Sequence, residues 1–557
     1  MKRTMKTQSK NGLLRRVAEK IANRLGYVLR YEQAPSKRSF PAAQINRLTA
    51  QWSAVGVSLD GVLSSELPIL RQRARDLRKN NEYFQKFLSM VKSNVIGENG
   101  MTLKNKATDP HTLQDGELVK GKPDKLANTL IEESFWEWGK KANCTLARNL
   151  NWTQAQHLNV EELATCGETL WRMVRGPAAG NRWNFAIEPI AIDRLDHNAN
   201  HNLSNGNTIR MGVEKNAAGR VVALHITDSD PTDILFNKGG GYTSRRYDAK
   251  DFVHTFLMRE IGQTRGFPWA AASMLRLKML ADYDQAEITG SVAASRKMAF
   301  LTSGLGPNAT PAQYAGENSD GSAAPGKYMD AEDACIEQLP YGMDIKALDW
   351  NHPNSIYGDF TGACLRGIAC GLSVSYPNLA NDYASVNFSS GRMSRQEEME
   401  TWKFLQQCVA SDFCEPIFAA WLEMALLSGA IKYALPSGRE IVLPASKLEK
   451  FNQPRFYGRR WQWLDPTKEV AAIAEQLRLK LTTRTRVASE LGEEWLEILD
   501  ELEQEKLEAA ARGITLPEDA EQEAALLAAQ PAPVAEREDS AEDDAEDEAE
   551  AQTPATT

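Results

Sequence analysis

The sequence predicts an α+β chain. Three observations predict it. Apolar residues recur at steps of three and four along several long stretches. Between residues 168 and 256 the pattern changes to β-type runs separated by turn residues. Beyond about residue 520 the composition narrows to Ala, Glu, Asp and Pro, which sets the end of the folded part.

The chain has 557 residues, of which 42% are hydrophobic, enough for a large core. Length alone suggests two to four folding units. The net charge of -9 is unevenly spread. Residues 1–47 hold 12 Lys/Arg against Glu19 and Glu32, and residues 531–557 hold 10 Asp/Glu against Arg537. A basic arm, an acidic body and an acidic tail point weakly to polyelectrolyte or large-assembly partners. The 7 cysteines are odd in number and irregularly spaced, so a secreted disulfide framework is not expected and reduced thiols are. No signal peptide is expected. The longest apolar stretch, Pro416–Ile431, is short and carries Glu423, so it reads as a buried helix and no membrane partner is expected.

Each element follows in order. In the arm, Leu14, Val17, Ile21, Leu25 and Val28 step as one helical face with Arg15, Arg16, Lys20 and Arg24 between them. Such a helix suits a membrane, nucleic acid, an acidic protein or, as we prefer, docking on its own assembly. Residues 66–96 read as helix, with Phe84, Phe87, Leu88 and Val91 on one side and Gly97 and Gly100 ending it. A second helix covers 123–141, with Phe135, Trp136 and Trp138. Thr169–Val174 and Val221–Ile226 read as strands. Turns are marked by Asn205-Gly206, Ala218-Gly219 and Gly239-Gly240-Gly241.

A long helix is expected over 268–300, with Met274, Leu277, Ala281, Ile288 and Val292 on one face. Residues 303–330 read as a loop and 334–348 as short strands. Helix returns over 354–371, followed by a polar loop, Ser373–Ser390. From Ser373 to Gly391 this loop has no Lys or Arg. A helix then starts at a capping box of Ser394 and Glu397. Trp402, Leu405, Val409, Phe413, Ile417, Ala420 and Met424 form its buried stripe, and Pro416 is expected to kink it. Residues 441–463 look β-like. Asp465-Pro466 reads as a helix start, with two helices after it, the second running through Leu491, Trp495, Ile498 and Leu502 to Gly513. Disorder is expected in the tail.

Catalytic motifs are scarce. Gly321–Lys327 has the glycine and lysine spacing of a phosphate-binding loop, but Tyr328 stands where Ser or Thr would hold magnesium, and the flanks are not strand and helix. We read it as a loop. His197 and His201 have helical metal-ligand spacing but sit in a turn-forming run without a Cys or carboxylate partner at suitable spacing. Cys364/Cys370 and Cys408/Cys414 read as small core residues. No Gly-x-Ser-x-Gly or His-Glu-x-x-His motif is present. No catalytic residue, metal or cofactor is expected.

Three segments together resemble the lambda-like portal family of double-stranded DNA phages. They are Arg71–Asn80 leading to Val91–Gly97; Arg265–Ala270 followed by Leu277–Tyr283; and Gly371–Tyr376 followed by Asn381–Arg392. Asp465–Lys468 and its helices also look like the family's C-terminal region. The resemblance spans roughly residues 40–510, no single motif is diagnostic, and the acidic tail lies outside it.

The resemblance implies a portal fold. It would have an α/β wing (48–267), a two-helix stem (268–300 and 349–372) and a small α/β clip (301–348). A tunnel loop (373–390), a long wing helix with β elements (391–464) and a helical crown (465–515) would follow. The arm (1–47) and tail (516–557) flank these. It implies a homo-oligomeric ring, dodecameric in this family, at one capsid vertex, with double-stranded DNA in its channel. The implied partners are the terminase large subunit, the major capsid and scaffolding proteins and a head–tail connector protein. It implies no enzymatic activity. Ser373, Tyr376, Asn378, Asn381, Asp382, Tyr383 and Asn387 would line the channel. Arg392 and Arg395 would contact either phosphate or a neighbouring subunit. Two other classes, a packaging ATPase or nuclease and a capsid or tail adaptor, are separated from this reading by ATP hydrolysis and by copy number in the virion.

Overall fold

A computed structural model gives the fold. It describes residues 56–109, 112–114, 117–119, 121–233, 235, 242–295, 299–303, 343–347, 356–384, 386–434, 439–461, 466–491 and 495–514. Near the N-terminus it also describes 3–7, 20–21, 24, 27–31 and 47.

In the arm, β1 (Arg3–Thr7) pairs in parallel with β2 (Tyr27–Tyr31). The expected helical face therefore ends before Val28, in a stretch whose Tyr27-Val28-Leu29 run favours extended backbone. Helix α1 (Leu59–Asn80) starts a full turn and more earlier than expected, because Ser58 accepts from the Gly61 amide. Asn81 ends α1 and caps α2 (Glu82–Val91) through the Phe84 amide. A π-helical turn, Lys92–Ile96, follows and stops at Gly97, whose φ is 80°. The expected single helix is thus two helices and a π turn.

After β3 (Thr102–Asn105), β4 (Thr112–Gln114) and β5 (Glu117–Val119) comes α3 (Lys125–Trp138), capped by Asp124. Phe135 and Trp138 are buried, whereas Trp136 is 67% exposed. A short turn of helix, α4 (Lys141–Cys144), leads to α5 (Trp152–Cys166), which the sequence reading did not anticipate. Its buried side carries Gln156 and Asn159 among apolar residues, which blurs the apolar period. Both side chains are used. Gln156 accepts from the Met101 amide at 2.7 Å, and Asn159 accepts from Thr169 Oγ1 at 2.6 Å and Trp171 Nε1 at 2.9 Å.

Strands β6 (Glu168–Arg175), β7 (Phe185–Ile190) and β13 (Phe252–Phe256) form an antiparallel sheet in the order β13-β6-β7. A second sheet of five strands holds β8 (His201–Asn202), β9 (Thr208–Arg210), β10 (Val213–Lys215), β11 (Val221–Thr227) and β12 (Ser244–Asp248). The expected turns at Gly206 and Gly219 join its strands with φ of 84° and 77°. Residues 239–241 lie outside the described residues.

Helix α6 (Met274–Ser295) is shorter than the expected 268–300, because Ala299–Ser303 is strand β14, paired with β15 (Met343–Ala347). The phosphate-loop-like segment 321–328 lies outside the described residues. Helix α7 (Tyr357–Leu372) matches expectation. The segment after it is not a continuous loop, since Tyr376–Ala380 forms helix α8. Helix α9 (Phe388–Val409) then begins at Asn387, not at Ser394. Asn387 accepts from the Ser390 amide at 2.7 Å while its own amide donates to Ser390 Oγ at 3.2 Å. This Asn-x-x-Ser box supplies the reciprocal bonds two turns before the predicted one, leaving Ser394 and Glu397 inside the helix. Before Pro416 the helix passes through a π turn, Ala410–Cys414, and continues as α10 (Glu415–Leu427).

The remainder is more mixed than the expected β run. It holds β16 (Lys432–Ala434), β17 (Glu440–Val442), α11 (Leu448–Phe451) and β18 (Pro454–Tyr457), which pairs with β3. Three helices follow rather than two: α12 (Pro466–Arg478), α13 (Arg484–Leu491) and α14 (Trp495–Ala511). Asp465 and the tail after 514 lie outside the described residues. No described helix is long and apolar enough to cross a membrane.

The core gathers α2, α3, α5, the three-stranded sheet and the α9–α10 stripe. Of the predicted stripe, Trp402, Leu405, Val409, Phe413, Ile417 and Ala420 are buried, and Met424 is partly buried. Trp152 stacks on Phe413 with centroids 5.5 Å apart, and Phe135 meets Trp421 edge-on at 5.0 Å. Each such side chain withdrawn from water contributes about 1.5–3 kcal/mol.

One ionic joint ties the sheets to α1. Glu168, at the start of β6, is fully buried. Its carboxylate accepts from Arg265 Nε at 2.8 Å, from the Gly266 amide at 3.0 Å and from Arg71 of α1. Arg71 also faces Asp193 at 3.4 Å. Arg265 donates to the Met211 carbonyl, beside β9 and β10. Burial pulls the Arg71 and Arg265 guanidinium groups down to about 9, still charged at neutral pH. Gly167 and Gly266 let the two backbones meet, since a Cβ on Gly266 would lie 2.1 Å from the Gly167 carbonyl oxygen. Glu168→Gln leaves two buried cations short of a counter-charge. It should cost about 3–5 kcal/mol in a urea or thermal unfolding series, and a change below about 1 kcal/mol would show that the joint is not holding the sheets.

Candidate functional site

The polar segment after α7 is pinned at both apolar and polar points. Ser373 closes α7 in the left-handed region, with φ of 57° and its amide donating to the Cys370 carbonyl at 3.2 Å. Val374 and Leu379 then turn into the core, 8% and 1% exposed. Asn381 ends α8 in the left-handed region, a conformation its short amide tolerates.

Side chains of the segment bond mostly to each other. Tyr376 donates its hydroxyl to Asp382 at 2.7 Å, which raises the phenol and lowers the carboxyl. The Arg366 guanidinium lies 5.1 Å from the Tyr376 ring centroid. Tyr383 donates to Asn378 Oδ1 at 3.1 Å. Asn378 in turn donates its Nδ2 to Glu398, on the third turn of α9. The same carboxylate accepts from the Ser375 amide at 3.3 Å and Ser375 Oγ at 3.4 Å. Glu398 is buried, which pushes its carboxyl up.

All seven predicted lining residues lie in this one segment, as contiguity requires. Their roles divide. Ser373 and Asn387 are a helix C-cap and N-cap, Tyr376, Asn378 and Asp382 are internal bonds, and Asn381 and Tyr383 are exposed. Arg392 is paired within its own chain with Glu469 of α12, at 3.6 Å, which neither expected role foresaw. Arg395 lies beside the segment, on the same cleft as Asn378 and Tyr383. Glu398 was missed by sequence reasoning. Its signal is an acidic residue in register with the buried stripe Trp402, Leu405 and Val409.

Other candidates are structural. His197 Nε2 lies 2.7 Å from the Ser64 carbonyl and ties the second sheet to α1. His201 is exposed on β8. Among the described residues no group of three or more His, Cys, Asp or Glu could hold a metal. Cys414 is buried as expected, but Cys370 is exposed, because the last turn of α7 presents it away from the core.

Around Glu168 the buried charges end on one another and on the backbone, where they join a helix to the sheets. Residues 46–406 match the family model described as phage portal protein, lambda family. A probable portal protein of Halomonas phage phiHAP-1 is 30% identical over 435 residues, covering 78% of this chain and 79% of that one. Portal protein B of Escherichia phage lambda is 22% identical over 500 residues, covering 84% and 88%. Among solved structures, a chain in the neck of a native gene transfer agent particle, computed with C12 symmetry, aligns over 77% of this chain and 94% of its own. Its TM-score is 0.37 and its identity 11%. The chain belongs to the lambda family of phage portal proteins.

The ionic joint at Glu168 sets a pH response. His254 of β13 lies 2.7 Å from Glu168. Burial, then the charges of Arg265 and Arg71, pull its imidazole down to about 3. It is neutral at pH 7, and its N–H donates to the carboxylate. In the unfolded chain an ordinary His titrates near pH 6.5. Between those values the unfolded state binds the extra proton, so stability falls as pH drops below about 6.5. His254→Gln should lose about 2 kcal/mol less than the parent between about pH 7 and pH 5 in urea melts. Equal losses would mean that the imidazole titrates alike in both states.

Proposed function

We propose that this chain is one subunit of a closed ring at a single capsid vertex, with twelve copies expected from the family. Its axial channel passes double-stranded DNA during packaging and ejection. The observation that carries the reading is the family match over residues 46–406, which includes α6, α7 and the segment 373–390. In this reading α6 and α7 are the stem, and β14, β15 and the residues between them are the clip. That clip faces the terminase large subunit and later the head–tail connector. Residues 48–267 and 391–464 form the wing, toward the major capsid and scaffolding proteins, and α12–α14 form the crown. The subunit works in the virion and is assembled in the host cytoplasm.

Two features of the chain support it. A ring needs one surface of a subunit to meet a different surface of the next. Helix α6 leaves Leu275 and Met279 72% and 62% exposed in the single chain, an apolar face for such a contact. A channel must hold DNA without gripping it, and cations on phosphates grip. The segment 373–391 offers none. The chain carries no motor chemistry in this reading, so the work of moving DNA belongs to the terminase.

Electron microscopy or native mass spectrometry of purified protein should show symmetric rings with a central hole. Deletion of residues 520–557 should leave them intact, because the tail lacks apolar periodicity. Monomers and dimers under all conditions would overturn the reading. Ala384→Lys adds one cation per subunit beside Tyr383, where the backbone is exposed. Rings should still form, while DNA packaged per particle should fall at low salt and recover as salt screens the contact. Unchanged packaging at all salt concentrations would remove 373–390 from the channel.

A further inference from the structure

We propose that Glu398 is the latch that fixes the position of the segment 375–384, through three donors that converge on its carboxylate. This rests on the reading of that segment as the channel lining, and adds the residue that sets where the lining stands. Ser375 supplies its backbone amide at 3.3 Å and its hydroxyl at 3.4 Å, and Asn378 supplies its side-chain amide. These two residues span the start of α8. Asn378 passes the constraint on, because its Oδ1 receives Tyr383 at 3.1 Å. One buried carboxylate on α9 therefore governs both α8 and the exposed turn beyond it.

The arrangement is one-sided. Val374 and Leu379 peg the inner face of the segment into the core. Those pegs fix depth but not orientation, since apolar contacts are not directional. Direction comes from the bonds to Glu398. A carboxylate accepts from all three donors at once, whereas an amide in its place must aim two N–H groups at donors. The carboxylate belongs to the long helix that carries the buried stripe, so the latch refers the segment to a helix anchored in the core. Glu397, one residue earlier, is exposed and has no bond to the segment.

Hydrogen exchange of the full-length protein tests the latch itself. In Glu398→Gln the amides of Ser375, Leu379, Asp382 and Ala384 should exchange roughly tenfold faster or more, while those of β6 and α10 keep parental rates. Glu397→Gln, which removes a charge one residue away, should match the parent. Parental exchange in Glu398→Gln would overturn the proposal. Should that variant fail to fold, Ser375→Ala with Asn378→Ala removes the side-chain donors and leaves the core untouched. It should show the same acceleration, and its absence would equally overturn the latch. DNA retention in assembled particles separates the two readings. Faster exchange with lost retention supports both, and faster exchange with full retention keeps the latch but removes the segment from the channel.

Discussion

Most of the body depends on the neutralisation of Glu168. A carboxylate without solvent is stable only if every lone pair is answered, and here Arg71, Arg265, His254 and the Gly266 amide answer it. Those partners come from α1, from the strand β13 and from the loop that leads to α6. Arg265 carries the link onward to the Met211 carbonyl and thus to the five-stranded sheet. Two of the segments that carry the family resemblance, one around Arg71 and one around Arg265, meet at this carboxylate. Their sequence likeness has a physical reason: side-chain length, charge and two glycines must all agree for the joint to close.

How much of this could be read beforehand follows from the kind of signal each element gives. The α9–α10 stripe was legible because a long helix with one buried face repeats its period many times. Two strands, β6 and β11, were legible from their β-type runs, and two turns of the second sheet from glycines that take positive φ. Helix α5 was not, since Gln156 and Asn159 occupy core positions and erase the period while their bonds to Met101, Thr169 and Trp171 make burial tolerable. The start of α9 was misplaced because two capping patterns follow one another, at 387–390 and 394–397, and only the fold decides that Asn387 starts the helix. The break between α13 and α14 was invisible because apolar residues continue in phase across it. At the candidate site the polar residues were legible, but their partners were not. Charged residues in core register, Arg71 on α1 and Glu398 on α9, were the available sign of both joints.

In the proposed channel lining, 373–390, two demands would conflict: affinity for a passing polyanion would slow it, yet a mobile lining would not define a bore. The segment spends its polar groups inward. Tyr376, Asp382, Asn378 and Tyr383 satisfy one another or Glu398. Position is thereby set by internal bonds, and the exposed remainder carries no cation.

The C-terminal helices are tied to the body differently. Lys125 meets Asp500 of α14 at 2.6 Å, and Arg392 meets Glu469 of α12 at 3.6 Å, with the first pair more than half exposed on both sides. Exposed pairs are worth less than about 1 kcal/mol and are screened over about 8 Å at physiological ionic strength. The aromatic core beneath them gains, if anything, from salting-out ions. The two parts of one chain therefore answer electrolyte with opposite sign. A rise in salt weakens the ionic ties of α12 and α14, so the chain carries contacts graded by their ionic surroundings.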